Sequence, residues 1–187
     1  MDTETKVKEI MLHERYEHSL GVRDTAVMLA ETYGCSKEKA RIASLLHDVA
    51  RDMPLDEMQE ILRKSGSHTE ISKEIFQSHQ LLHARAGKEI ARKQFGISDA
   101  DVLRSIELHT TGGKSMSVLD KVLFVADYIE PGRIFRGAEE GRKLAFQDLD
   151  KAVLYIFKSL IGELLKSELF ICKSTLEGYN DLARVGK

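Results

Sequence analysis

Apolar residues recur at helical spacing along most of this chain, and this repeat constrains the fold more than any other feature. In the segment 118–129, for example, the apolar residues on one helix face are Leu119, Val122, Leu123 and Ala126. Only two prolines, Pro54 and Pro131, interrupt 187 residues, and we find no convincing alternation of apolar and polar residues of the kind that marks a strand. The sequence therefore predicts an all-α protein, a single helical bundle.

Capping and helix-breaking residues place the ends of the predicted helices. Gly34 suits the position after a helix, Ser36 suits an N-cap, and Ser117 followed by Asp120 suits a capping box. The predicted helices span about 4–12, 18–33, 36–52, 54–65, 69–77, 84–95, 98–109, 117–130 and 148–172. We expect residues 133–147 to form a loop with one short helix, and residues 179–187 to form a loosely held tail.

We expect one domain over residues 1–187, with its core at about 15–133 and the helix at about 148–172 packed on that core. A formal net charge of −2 gives no electrostatic reason to expect binding to nucleic acid. Cys35 and Cys172 are far apart and outside any CxxC pattern, which predicts reduced thiols. No apolar signal segment and no apolar stretch of about 18 residues is visible, so we expect a cytoplasmic protein that does not enter a membrane.

The pair His47-Asp48 points to chemistry. It lies in the apolar run 43–52, where a carboxylate and an imidazole are costly to desolvate unless something pairs with them. Asp127 poses the same problem, because it lies one turn after Leu123, at or beside a buried helix face. A divalent metal ion would satisfy all three groups, whereas an ion pair with an Arg or Lys on another helix would satisfy Asp127 alone.

Three further histidines could complete such a site. His18 shares a helix face with Arg15, His83 follows two leucines, and His109 ends an apolar helix. For each of these histidines taken alone, a structural role in the core or on the surface is the alternative interpretation. Imidazoles and carboxylates together suit Fe, Mn, Zn or Co, and this mixture does not select among them.

The order of His18, His47-Asp48 and Asp127 resembles the His…His-Asp…Asp signature of the HD-domain metal-dependent phosphohydrolases. Within that superfamily the chain resembles the YqeK-type bacterial hydrolases, which are symmetrical bis(5′-nucleosyl)-tetraphosphatases. The matching segments are Arg15–Ser19, Leu45–Asp48, His109–Gly112 and Ala126–Arg133. The resemblance implies that diadenosine tetraphosphate is cleaved symmetrically into two ADP molecules, and that the metal is iron.

The family signature leads to a hypothesis for the metal site. One metal ion would be held by His18, His47, Asp48 and Asp127. A metal-bound hydroxide, oriented by Asp48, would attack a phosphorus of the bridging polyphosphate. His83 and His109 could instead hold a second ion, with Asp48 bridging the two metals.

The substrate would be a dinucleoside polyphosphate, and the product would be ADP. The residues expected to bind its phosphates are Arg15, Asp48, His83, His109 and Arg133. The expected catalytic residues are Asp48, His83 and His109, since the two histidines could neutralise charge on the leaving group. Arg51 and Lys114 could border the polyphosphate, but they are interpreted as ordinary surface charges.

One segment departs from the family pattern, in which a proline follows His-Ala. This chain has His83-Ala84-Arg85, so the phosphate contacts just after His83 are left open. Motifs typical of other HD branches are missing, such as the Gly-Tyr-Pro element of cyclic-dinucleotide phosphodiesterases. Arg51-Asp52 stands where alarmone hydrolases are expected to carry an acidic pair.

Other functions remain open at this point. The chain could hydrolyse another nucleotide, bind a nucleotide as a non-catalytic metal sensor, or serve as a helical interaction module with structural histidines. The C-terminal helix carries an apolar stripe of Leu149, Val153, Ile156, Leu160 and Leu164. This stripe is expected to lie in the core, and it could also form the face of a homodimer.

Overall fold

A computed structural model describes residues 3–183, and in that range every regular element is a helix. The α-helices are α1 (Thr3–Ile10), α2 (His13–Thr32), α3 (Lys37–Leu46), α4 (Leu55–Ser65), α5 (Lys73–Phe76), α6 (His79–Gln94), α7 (Ala100–Leu108), α8 (Val118–Ile129), α9 (Arg136–Ala145), α10 (Leu149–Lys166) and α11 (Lys173–Leu182). A single 3-10 turn, Ser67–Glu70, follows α4. The all-α prediction is therefore confirmed.

Local capping explains several helix ends that the sequence predicted. The hydroxyl of Ser36 accepts a hydrogen bond from the backbone N–H of Lys39 at the start of α3. Ser117 and Asp120 form a reciprocal capping box at the start of α8, as predicted. Gly66 adopts a φ of 77° where α4 ends, a conformation that favours glycine.

The predicted helix over 36–52 is wrong at its C-terminal end. Helix α3 stops at Leu46, and residues 47–52 form successive turns, with the N–H of Val49 bonded to the carbonyl of Leu46 and that of Arg51 to the carbonyl of Asp48. Apolar spacing continues through this segment, because the turns are buried as thoroughly as the helix. The consequence is that Asp48 lies on a turn and not on a helix.

The C-terminal third also differs from the prediction. The one helix expected within 133–147 is present as α9, but it covers ten residues and leaves little loop. Arg142 anchors this helix by donating to the backbone carbonyls of Ile129, Glu130 and Arg133. The predicted helix over 148–172 ends at Lys166, and α11 follows it. Much of the expected tail from residue 179 is thus helical, while residues 184–187 lie outside the described range.

Smaller differences concern the middle of the chain. The predicted helix over 69–77 is divided into a 3-10 turn and the short α5, because Ile71 between them is extended. Helix α6 begins at His79, five residues before its predicted start at 84. The cap of α7 is Asp99, whose carboxylate accepts from two backbone N–H groups, and not Ser98. These ends depend on local competition between neighbouring caps, which spacing alone does not resolve.

Helix α8 is the central element of the fold. It contacts α2, α3, α7, α9 and α10, and seven apolar residues in this twelve-residue helix are buried. A second apolar cluster, which includes Met58, Leu62, Leu82 and Ile90, joins α4 to α6. A larger cluster joins α8 to residues of α2, α3, α7 and α10. Together the two clusters bring the ends of α3 and α7 close to α2, α6 and α8. Among residues 3–183, no helix is long and apolar enough to cross a membrane.

Phe157 on α10 supports the loop after α7. Its ring is fully buried against Phe124, with ring centroids 5.1 Å apart. A Cβ added at Gly112, whose φ is +59°, would lie 2.5 Å from the Phe157 ring, which shows how closely the loop packs there. The helix after residue 148 therefore packs against α8, and its residue Phe157 holds the loop that follows His109.

We expect Phe157→Ala to lower the free energy of unfolding by about 3–5 kcal/mol, because it removes a fully buried ring and leaves a cavity. Urea denaturation followed by circular dichroism measures this change. Phe146→Ala is the matched control, since Phe146 is 47% exposed, and it should change the free energy by less than about 1 kcal/mol. Equal losses in the two variants would contradict the packing described here.

Candidate metal centre

Six side chains from five parts of the chain converge at one end of the bundle. His18 comes from α2, His83 from α6 and Asp127 from α8, while His47-Asp48 and His109 directly follow α3 and α7. His47 is fully buried, and Asp48, His83 and His109 are each no more than 5% exposed. The sequence named all six, and the structure places them together.

One set of atoms has the spacing of ligands around a single ion. His18 Nε2 lies 3.1 Å from Asp127 Oδ1 and 4.0 Å from Asp48 Oδ2. His47 Nε2 lies 3.7 Å from Asp48 Oδ2 and 3.9 Å from Asp127 Oδ1. Ligands about 2.0–2.2 Å from a common ion are separated by about 3–4 Å. Among residues 3–183, His18, His47 and Asp127 form one group close enough to hold a single ion, and His47, Asp48 and His109 form another, so His47 belongs to both.

Two of these nitrogens lack the partner that burial requires. Within residues 3–183, the Nε2 atoms of His18 and His47 are buried and have no hydrogen-bond partner. A buried polar nitrogen left in this state costs about 1–3 kcal/mol. A cation between these nitrogens and the two carboxylates removes that cost, so the donor set fits a divalent metal.

The opposite ring nitrogens of three histidines contact groups that only accept hydrogen bonds. His47 Nδ1 lies 2.6 Å from the carbonyl of Ser44, and His109 Nδ1 lies 2.7 Å from the carbonyl of Ile106. Both histidines cap the C-terminus of a helix, so the same contact satisfies a helix-end carbonyl and fixes the ring.

His18 Nδ1 is held in a different way, 3.2 Å from the Glu130 carboxylate. With an ion at Nε2, each of the three rings would carry its proton on Nδ1, where an acceptor already lies. Glu130 has no role in the sequence-based hypothesis, although it lies inside the motif Ala126–Arg133. Its function becomes visible only when α8 and α2 are packed together.

A second group of polar atoms surrounds the other oxygen of Asp48. Asp48 Oδ1 lies 3.2 Å from His83 Nε2 and 3.5 Å from His109 Nε2, and these two nitrogens are 3.1 Å apart. The hydroxyl of Thr110 lies 3.1 Å from His109 Nε2 and 3.3 Å from His83 Nε2. Asp48 thus joins two halves of the site through its two oxygens.

Burial and neighbouring charges set the protonation of the group. Burial lowers the pKa of His47 to about 4, so its ring is neutral near neutral pH. Burial also lowers the pKa of His83, which favours the neutral form of this ring. Burial opposes the charged form of His109 as well, but the Asp48 carboxylate outweighs it and raises the pKa of that ring.

Both carboxylates remain ionised despite their surroundings. Burial alone would raise the pKa of Asp127, but the nearby rings of His18 and His47 hold it well below its usual range. Burial would also raise the pKa of Asp48, but His47, His109 and His83 hold it well below its usual range. Two ionised carboxylates facing neutral imidazole nitrogens are the ligands that a divalent transition metal requires.

Arginines line the opening of the site. Arg15 Nη1 lies 2.8 Å from Asp48 Oδ2, and Arg133 Nη2 lies 2.8 Å from Asp127 Oδ1. Their side chains are 26% and 39% exposed, so each guanidinium reaches both a carboxylate and solvent. Arg85, the residue that departs from the family pattern, pairs instead with Glu107 on α7. It is not among the residues that contact the cluster.

A cavity of about 450 Å³ opens beside Asp127, His109 and Arg133. Its far walls are mainly apolar and aromatic, and they are formed by Phe124, Tyr128, Phe135, Ile156, Ser159 and Leu160. His109 and Asp127 belong both to the lining of this cavity and to the cluster. The site therefore combines a cationic, metal-ligating end with an apolar recess next to it.

An all-α bundle that presents this constellation of His and Asp side chains defines the class of metal-dependent phosphohydrolases. Residues 15–132 match the family model of the HD domain, and the chain belongs to that family. Divalent metal binding is the property that this family shares with the donor set described above.

Similar proteins agree with this assignment. The chain is 41% identical to a symmetrical bis(5′-nucleosyl)-tetraphosphatase of Halalkalibacterium halodurans, covering 94% of this chain and 92% of that protein. It is 37% identical to the protein of the same name from Bacillus subtilis, over 93% and 92% of the two chains. A crystal structure from Clostridium acetobutylicum, described as a predicted HD superfamily hydrolase involved in NAD metabolism, superposes with a TM-score of 0.92 at 44% identity and 97% coverage of both chains.

We expect His47→Ala and Asp127→Ala to lose bound metal and hydrolytic activity together, with activity falling by about a hundredfold or more, because each removes a donor from the shared site. Metal analysis and turnover are measured on the same purified sample. The control is His13→Ala, since this histidine is 84% exposed and should leave both quantities unchanged. Full metal content and turnover in Asp127→Ala would refute the ligand set.

Proposed function

We propose that this protein hydrolyses dinucleoside tetraphosphates, with diadenosine tetraphosphate as its substrate and two ADP molecules as products. The observation that carries the proposal is the buried, unpartnered Nε2 of His47 facing two ionised carboxylates among the described residues. The names of relatives at 34–41% identity, each matched over at least 92% of this chain, support the choice of substrate.

The proposed metal ligands are His18, His47, Asp48 and Asp127. Iron is the proposed metal because the family resemblance implies it, and two imidazoles with two carboxylates are ligands that suit it. When bound, a divalent ion supplies Lewis acidity, which acidifies water and offsets the charge of a phosphate group. The side chains of this protein would bind and orient the substrate.

Arg15 and Arg133 are proposed to bind the phosphates that flank the reacting one. Each already directs a guanidinium to a carboxylate of the site and retains solvent exposure, so each can turn part of its donor fork toward an incoming phosphate. The negative charge of the four phosphates would then be offset by Arg15 beside Asp48 and by Arg133 beside Asp127. The scissile bond is proposed to lie beside Asp48, His83 and His109, which contact one another.

One nucleoside of the substrate is proposed to occupy the cavity beside Asp127. The Tyr128 and Phe135 rings pack edge to face, with centroids 5.0 Å apart, and Phe135 is 45% exposed at the rim. An exposed aromatic face beside an apolar recess can stack on a nucleobase. The volume of about 450 Å³ lies within the usual range of small-molecule sites.

We further propose that the chain acts as one domain in the cytoplasm, without contact to nucleic acid. A homodimer is proposed through exposed apolar residues near the end of α10, where Leu165, Leu169 and Phe170 are each about half exposed or more. Size-exclusion chromatography with light scattering tests the dimer. A monomer at micromolar concentration would remove that part of the proposal.

The decisive experiment is to incubate the metal-loaded protein with diadenosine tetraphosphate and separate the products by ion-exchange chromatography. We expect ADP as the sole nucleotide product, since attack at either central phosphorus divides the molecule symmetrically. The appearance of AMP and ATP in equal amounts would refute symmetrical cleavage. Intact substrate after incubation with a fully loaded protein would refute the function itself.

We expect Phe135→Ala to raise the KM for diadenosine tetraphosphate about tenfold and to change kcat by less than about threefold, because it removes a stacking surface remote from the scissile bond. Steady-state kinetics measures both constants. Phe146→Ala removes an aromatic ring of similar exposure on the other end of α9 and serves as the control. Parallel kinetics for the two variants would show that the cavity does not hold the nucleoside.

A further inference from the structure

Arg51 contacts the ring nitrogen of His83 that faces away from the metal ligands. Its Nη1 lies 3.1 Å from His83 Nδ1. A guanidinium has only donors and keeps its charge at any ordinary pH. The Nδ1 of His83 must therefore accept this hydrogen bond with its lone pair, which leaves the ring proton on Nε2.

This arrangement is the reverse of the one at the other three histidines of the site. His18, His47 and His109 each direct Nδ1 at an oxygen that only accepts, so a proton on Nδ1 is satisfied there and Nε2 is free to offer a lone pair. With these three rings in their neutral Nδ1–H forms, the chain presents three Nε2 lone pairs and one Nε2 proton to the same space. The difference is set by the partner of each Nδ1, not by the position of the rings.

The surroundings of His83 Nε2 agree with a donor. Asp48 Oδ1 lies 3.2 Å away and can only accept, and the lone pair of His109 Nε2 lies 3.1 Å away. If His83 carried its proton on Nδ1, that proton would face the Arg51 donor at 3.1 Å, and two lone pairs would face each other across the 3.1 Å between His83 and His109. The structure offers acceptors on one side of the ring and a donor on the other.

We propose that Arg51 is a positioning residue that fixes the tautomer of His83, so that His83 donates a hydrogen bond from Nε2 to a substrate phosphate oxygen and does not ligate a second metal ion. The inference rests on the proposed function for its substrate, but the tautomer itself stands on the Arg51 contact. It also assigns Arg51 a role within the site, whereas the sequence analysis interpreted it as a surface charge.

The proposal defines what His83 contributes chemically. A neutral imidazole that donates from Nε2 stabilises negative charge on an oxygen without transferring its proton, since transfer would leave an imidazolate. The site then contains one metal ion with four protein ligands. Asp48 Oδ1, freed from a bridging role, remains an acceptor for His83 in the absence of substrate.

Nuclear magnetic resonance tests the tautomer directly. Protein with ¹⁵N-labelled histidine, loaded with Zn²⁺ as a diamagnetic probe, gives two-bond ¹H–¹⁵N correlations that distinguish a proton on Nε2 from one on Nδ1. We expect three histidines of the site with Nδ1–H and one, His83, with Nε2–H, assigned by its loss in His83→Gln. A fourth Nδ1–H pattern in the wild-type protein would overturn the proposal.

Three variants of Arg51 separate positioning from simple phosphate binding. Arg51→Lys keeps a donor and should retain the Nε2–H pattern, with kcat reduced less than about threefold. Arg51→Met removes the donor and should mix the two tautomers, with kcat reduced about 10–100-fold, in the range of losing one preorganised donor. Arg92→Met is the matched control, because Arg92 lies on α6 and pairs with Glu89 away from the site.

Arg51→Glu reverses the contact and gives the sharpest test. Its carboxylate would accept from Nδ1, so the proton should move there and His83 Nε2 should gain a lone pair beside Asp48 and His109. Metal analysis should then rise from one to about two equivalents per chain. Retention of Nε2–H in Arg51→Glu, or two equivalents already in the wild-type protein, would overturn the proposal.

The outcomes also separate this inference from the proposed function. If the wild-type protein leaves diadenosine tetraphosphate intact, the function fails while the tautomer and metal measurements still decide the role of Arg51. If the wild-type protein cleaves the substrate but Arg51→Met changes only KM and keeps the Nε2–H pattern, Arg51 binds phosphate directly. That result would reject positioning and leave the function in place.

Discussion

The desolvation of two carboxylates is the constraint on which this structure depends. Asp48 is 5% exposed, and Asp127 stands beside it, facing fully buried or nearly buried imidazoles. Ionised groups withdrawn from water are tolerated only when other charges or donors replace the solvent. Five parts of the chain therefore have to meet at one point, and the helical bundle is the scaffold that brings them there.

Helix ends do much of this work. His47 and His109 each follow the last residue of a helix and donate back to a carbonyl three residues earlier. Such carbonyls have no partner within the helix, so each ring satisfies a requirement of the backbone while its other nitrogen is aimed inward. This arrangement, in which a histidine directly follows the last residue of a helix, occurs at both α3 and α7. A single hydrogen bond thus satisfies the end of the helix and orients the ring.

The sequence predicted the long helices and all six clustered side chains, because both depend on spacing that the chain displays directly. It failed where tertiary contacts decide the outcome. Residues 47–52 keep an apolar pattern but turn, and the helix within 133–147, expected to be short, extends over 136–145, where Arg142 holds it. Glu130 and Arg51 were missed for the same reason: each acts on a histidine distant in sequence, and nothing in their own segments marks that partner.

Asp48 gives the site a direction. Its Oδ2 faces His18, His47 and Arg15, while its Oδ1 faces His83 and His109. On the first side the rings offer lone pairs, which attract a cation; on the second, with His83 held by Arg51, the site offers a proton, which attracts an anion. A polyphosphate bound across Asp48 would therefore meet the metal at one oxygen and a hydrogen-bond donor at another. The number of histidines is the same in a site for two ions and in a site for one ion and a phosphate. The two kinds of site differ in whether His83 Nε2 offers a lone pair or a proton.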